Sequence, residues 1–154
     1  MKDIFTVASY ICNRYEKEFG ERIDEMKLHK LLYFTQRECL IQTEQPMFEE
    51  QFEGWRLGPV APMIRKPYQE DSFDKTVSDE DMAQYMSVLD QVFESYASKD
   101  SWSLSRLSHG ETSWKISRKG VAPSANSSVT IPTIISTRVW MAFLWPRGLW
   151  MGTI

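Results

Sequence analysis

Two histidines and two cysteines, His29, His109, Cys12 and Cys39, are the side chains best suited to metal or nucleophile chemistry in this chain. A structural zinc would need four Cys, His or carboxylate ligands at workable spacing. These four residues are scattered, with no C-x-x-C and no H-E-x-x-H, so neither a metal nor a cofactor is expected. A thiol–imidazole pair fares no better. If His29 and Cys39 share a helix, their ten-residue separation is roughly 15 Å along the axis, far outside hydrogen-bond reach. Cys39 falls on an apolar stripe and reads as a small core residue, and Cys12 beside Ile11 has the same default. His109, close to Ser108 and Glu111, is the one place for a triad-like arrangement, but a histidine bonded across a helix break is commoner. P-loop, dinucleotide and nucleophile-elbow signatures are absent, and Glu49-Glu50 and Asp79-Glu80-Asp81 lie in polar, solvated runs. These observations point away from an enzyme.

The elements that carry these residues are helical. Ile4, Val7, Ala8, Ile11 and Tyr15 recur at helical spacing, with Gly20 as the stop. A second helix follows from Asp24, its cap, to a break at Pro46. Leu28, Leu31, Leu32, Thr35 and Cys39 form one stripe on it, yet Tyr33 lies nearly opposite Leu31 and Phe34 between the two. Such a helix is apolar on more than half its circumference and belongs in the centre of the fold. Residues 48–60, punctuated by Gly54, Gly58 and Pro59, read as a short extended or β segment ending in a tight turn. A short helix is expected from Pro62, limited by Pro67. Met82, Tyr85, Met86, Leu89, Val92, Phe93 and Tyr96 predict an unbroken helix, with Ser78 and Asp81 as an acidic capping box. A shorter helix, a break at Gly110 and a turn carrying Trp114 come next, then a loop over 121–130 and a last helix from Ile131 with Pro132 in its first turn. The expected class is mainly α (α+β with a minor β element), a single compact helical domain.

With 154 residues, 42% apolar and 25% charged, the chain has the makings of one soluble domain with one core. Its net charge of −3 is divided unevenly: residues 1–100 hold 12 Lys and Arg against 20 Asp and Glu, and residues 101–154 hold 6 against 1. Such a charge excludes a strong nucleic-acid footprint across the chain. The N-terminal stretch carries Asp3 and a polar "NRYEKE" where a signal peptide needs an apolar run, and no stretch reaches membrane-spanning length. A cytoplasmic protein with reduced thiols is expected.

Three blocks, "MKLHKLLYFTQRECL", "FEGWRLGPVAPMI" and "LSRLSHGETSW", occur in an order and at separations that resemble the Panacea domain, the SocA-like antitoxin family of bacteria and their phages. The resemblance is carried by Lys27, Leu28, Lys30, Leu31, Leu32, Tyr33 and Phe34, then Trp55, Gly58, Pro59 and Val60, then Leu107, Ser108, His109 and Trp114. It implies a protein-interaction module that neutralises a cognate protein toxin by direct contact. For one branch it also implies delivery of the toxin to a Clp-type protease. The family-matched residues Lys27, Lys30, Tyr33, Phe34, Trp55, Gly58, Pro59, His109 and Trp114, with Arg56 as a rim contact, are the candidate partner or motif residues. Tyr33 and Phe34 are expected to fill space between the central helix and the Trp55–Val60 segment, and His109 and Trp114 to pack their turn against that helix. The resemblance covers about residues 3–136. The Trp-rich tail 137–154 lies outside it, open to three readings: a packed helix, an apolar patch, or an altered reading-frame end. The alternative function is a DNA-binding operon regulator, resting on Arg106, Lys115, Arg118 and Lys119.

Overall fold

A computed structural model describes residues 1–131. The proposed domain boundary at 136, the tail 137–154 and the last helix beyond Ile131 lie outside these residues. Helix α1 (Ile4–Phe19) starts at Asp3, whose carboxylate accepts the Thr6 N–H, and ends at Gly20 with φ 73°. A left-handed residue at this place lets the Gly20 N–H reach the Glu16 carbonyl at 2.8 Å, and glycine adopts it without strain. Helix α2 (Glu25–Thr43) is capped by Asp24 and buries every residue from Lys27 to Gln36. It is the central helix that its all-round apolar pattern predicts.

Asp24 does two jobs. Its Oδ1 accepts the Lys27 N–H at 2.8 Å, and both its oxygens lie 2.7 Å from the Ser101 hydroxyl at the start of a later helix. We expect Asp24→Ala to cost about 1–2 kcal/mol, the upper end of a cap deletion. Thermal unfolding of Asp24→Ala beside Ser101→Ala separates the cap from the link, and the alanine at 24 should be the more damaging.

Strands β1 (Phe52–Trp55) and β2 (Gly58–Val60) form a hairpin with Glu53 opposite Val60 and Trp55 opposite Gly58. A third strand, β3 (Thr130–Ile131), pairs antiparallel with the other edge of β1. The helix expected from Ile131 therefore does not begin at that residue; the rest of its span lies outside the described residues. The run Val129-Thr130-Ile131 is β-branched, Ile131 is buried, and the Gly54 N–H already meets the Val129 carbonyl.

Helix α3 (Pro62–Gln69) begins at Pro62 but runs past Pro67. Only one intrahelical donor is lost there, and the helix ends two residues later, at Gln69. The long helix expected over 78–100 is broken up. Asp81 accepts the Ser78 N–H and hydroxyl, closing a turn, and regular structure starts only at a 3₁₀ turn, Ala83–Tyr85. Helix α4 (Met86–Val92) then widens into a π turn, Phe93–Ala97, whose last carbonyl is taken by Lys27 Nζ at 3.1 Å. Helices α5 (Ser101–His109) and α6 (Thr112–Ser117) close the layer over α2 and the hairpin. Among the described residues, no helix is long and apolar enough to cross a membrane.

Candidate functional site

The three sequence blocks meet at the β1–β2 hairpin. From α2, Lys30 Nζ donates to the Pro59 carbonyl at 3.0 Å. From α5, the Ser105 hydroxyl donates to the Leu57 carbonyl at 2.6 Å. From α6, Trp114 Nε1 donates to the Trp55 carbonyl at 2.8 Å. Gly58, at φ 114°, lies where a side chain would strike both Ser108 and Lys30. Lys30 is 1% exposed, and burial pushes its ammonium down to about 7 against the opposing charge of Asp24.

The remaining family-matched residues take other places. Tyr33 packs edge-on against Phe52, at the start of β1 and short of the Trp55–Val60 segment expected, and Phe34 stacks on Tyr96 beyond α4, with ring centroids 4.3 Å apart. That corrects its expected position against residues 55–60: its direction on α2 faces the α4 side. Lys27 is remote from the hairpin, its ammonium bonded to Tyr15 Oη and the Ala97 carbonyl. His109 and Trp114 stack on one another at 4.2 Å, and the indole reaches β1 where the central helix was expected. Burial lowers the His109 pKa, the Arg56 backbone opposes this, and Lys30 and Arg118 lower it further. Glu111 pairs with Arg37, Nε to Oε1 3.2 Å, and burial raises its carboxyl to about 7 against that partner. Both cysteines are free. Burial pushes Cys12 up to about 12 and also raises Cys39, the opposite of an activated nucleophile. Among the described residues no cluster of three His, Cys, Asp or Glu could hold a metal ion. Arg118, part of the basic end, donates to the carbonyls of Gly54, Ala122 and Ala125, which leaves it occupied with loop closure.

Beside the hairpin opens a cleft of about 330 Å³, walled by α2, α3 and the loop at 124–126. Trp55 and Arg56 form its lip. The Trp55 indole N–H is fixed by Glu53 Oε2 at 2.7 Å, and the Arg65 guanidinium lies over its ring at 5.2 Å. Arg56 is exposed, and its backbone N–H is held by Asn126 Oδ1. His29 lines the floor. Its Nδ1 accepts the Ala61 N–H at 3.2 Å, so the neutral ring carries its proton on Nε2. Burial, reinforced by Lys30 and Arg65, pushes the imidazole down to about 3 and keeps it neutral. Nε2 is buried without a hydrogen-bond partner among the described residues.

Residues 28–115 match the model of the SocA-like antitoxin family, Panacea domain. The chain belongs to this family. No curated protein and no solved structure matches it. The matched span of this Panacea domain runs from α2 to α6 and contains the hairpin with Lys30, Ser105 and Trp114, while Arg118, Asn126 and Val129, which also bond to it, lie beyond the span. It also contains His29 and Arg65 of the cleft, which sequence reasoning missed. For His29 a signal existed: Glu25 stands four residues before it, on the same face of α2. Arg65 had none, since only folding brings α3 of the Panacea domain over Trp55.

Proposed function

We propose that this protein is an antitoxin that neutralises a cognate protein toxin by direct binding, through the surface around the hairpin lip. The observation that carries this reading is the convergence of the antitoxin-family blocks on one hairpin whose lip, Trp55 and Arg56, is left partly or fully accessible. Lys30, Gly58, Pro59 and Trp114 hold the hairpin from within. Trp55 and Arg56 belong to the residue types that most often anchor protein interfaces. No covalent step is required, since occupying the toxin's working surface is sufficient.

The test is co-expression with the products of neighbouring reading frames. One product is expected to arrest growth alone, to be harmless beside this chain, and to co-purify with it. Rescue that disappears in a host lacking Clp-type proteases, while the complex still forms, would assign the adaptor route. Rescue that persists there assigns direct inhibition. If no neighbouring product is toxic or retained, the antitoxin reading fails.

A further inference from the structure

We infer that the cleft beside the hairpin receives a carboxylate side chain of the bound partner, which accepts hydrogen bonds from the His29 Nε2–H and the Arg65 guanidinium. This rests on the reading that the partner is a protein. Two buried donor atoms face the cleft unmet: His29 Nε2, in a residue 2% exposed, and Arg65 Nε, whose side chain is otherwise 42% exposed. Both lie near one acceptor that fails to satisfy them. Glu25 Oε2 is 4.0 Å from His29 Nε2 and 3.5 Å from Arg65 Nε, distances or alignments short of a hydrogen bond. An unmet buried donor is costly, so an acceptor placed between them is strongly favoured.

Charge identifies that acceptor. Arg56 and Arg65, beside a Lys30 that is only partly charged near neutrality, line the cleft against a single carboxylate, Glu25. A bridging water would satisfy the imidazole and leave the surplus positive charge. A planar carboxylate satisfies both, because guanidinium presents a fork that matches its two oxygens. Met26, Leu57 and Val60 supply apolar wall for the methylenes of an aspartate or glutamate. The volume, near the small end of ligand sites, suits one side chain with its flanking backbone.

The test uses the full chain and the toxin identified by co-expression, with affinities from calorimetry. Arg65→Gln is expected to weaken binding roughly 30-fold or more, as for a buried charge pair that loses one partner. Lys66→Gln, next along α3 and 83% exposed, should stay within about twofold. If Arg65→Gln alters the fold, Arg56→Gln at the exposed lip takes its place and should weaken binding several-fold. Equal toxin affinity of the folded Arg65→Gln or Arg56→Gln variant and the wild type overturns the cleft inference and leaves the antitoxin reading intact. A wild-type chain that binds no neighbouring product overturns the antitoxin reading instead. A second arm separates the sources of carboxylate: glutarate is titrated into the toxin-free chain while the Trp55 indole N–H is followed by NMR. Saturable shifts abolished by Arg65→Gln, with no toxin bound, assign the cleft to a free carboxylate. Absence of shifts together with absence of a toxin overturns the inference outright.

Discussion

Gly58→Ala is expected to lower the melting temperature by roughly 10 °C, corresponding to about 3–5 kcal/mol in a chain of this length. Two costs combine. The backbone at Gly58 has φ 114°, a region that costs an L-residue about 1–3 kcal/mol. A Cβ there would also stand 2.3 Å from Ser108 Oγ and 2.7 Å from Lys30 Cε. Neither neighbour can retreat freely: Ser108 Oγ bonds the Ser105 carbonyl at 2.7 Å, and Lys30 Nζ is tied to the Pro59 carbonyl. Gly20→Ala supplies the control, because Gly20 has φ 73° and open space around it. It should cost about 1 kcal/mol, the strain alone. Adding Ser108→Ala to Gly58→Ala should recover part of the loss, since one clash is removed and the Lys30 contact remains. Thermal unfolding followed by circular dichroism measures the three variants beside the wild type. A Gly58→Ala variant as mild as Gly20→Ala would mean that the hairpin is not wedged between α2 and α5, and the convergence of the three blocks would lose its structural basis.

Local physics made much of this architecture legible. Asp24 and Gly20 announced the start of α2 and the end of α1, and Pro62 the start of α3, because caps and φ preferences depend on a few neighbouring residues. The position of α2 at the centre followed from Tyr33 lying opposite Leu31. A turn was expected at Gly58-Pro59, but the chain reverses two residues earlier, at Arg56-Leu57, and Gly58 and Pro59 pair with Trp55 and Gly54 inside β2. What escaped was set by distant partners. The π turn at Phe93–Ala97 places a carbonyl where Lys27, seventy residues earlier, can use it. Two residues of β3 gain their pairing from β1 across a long loop. Lys27 and Lys30 look like surface residues in a string of letters, yet each ammonium finds a buried acceptor supplied by another element. The cleft was invisible for the same reason, since His29, Trp55 and Arg65 come from three different segments. The binding surface is harder still to read, because nothing in a lip of Trp55 and Arg56 announces what it touches.

Glu111 is expected to make the chain less stable as pH rises from about 4.5 to 7. Burial raises its carboxyl from 4.5 to about 7, outweighing the attraction of Arg37, which lies at 3.2 Å but lacks hydrogen-bond alignment through Nε. A raised carboxyl means that the folded chain holds the proton more tightly. The contribution is therefore complete below pH 4.5 and is lost as pH climbs through 7, by about 3 kcal/mol if the full displacement is realised. His29 masks this in the wild type. Its imidazole is lowered from 6.5 to about 3, so its contribution grows over that interval and opposes Glu111 between pH 4.5 and 6.5. Above pH 7 Lys30 takes over: with its ammonium lowered from 10.5 to about 7, stability rises again toward pH 10. The wild-type curve should thus be shallow below neutrality, with a weak minimum near pH 7. Glu111→Gln keeps the shape of the side chain and removes its titration. Denaturant unfolding of both proteins from pH 4.5 to 8 should give a wild-type minus variant difference that declines by up to about 3 kcal/mol. The variant alone should gain stability toward pH 6.5, because the His29 contribution is no longer offset. Parallel curves would show that the Arg37 charge fully compensates the burial of Glu111, and would place the pair among ordinary structural ion pairs.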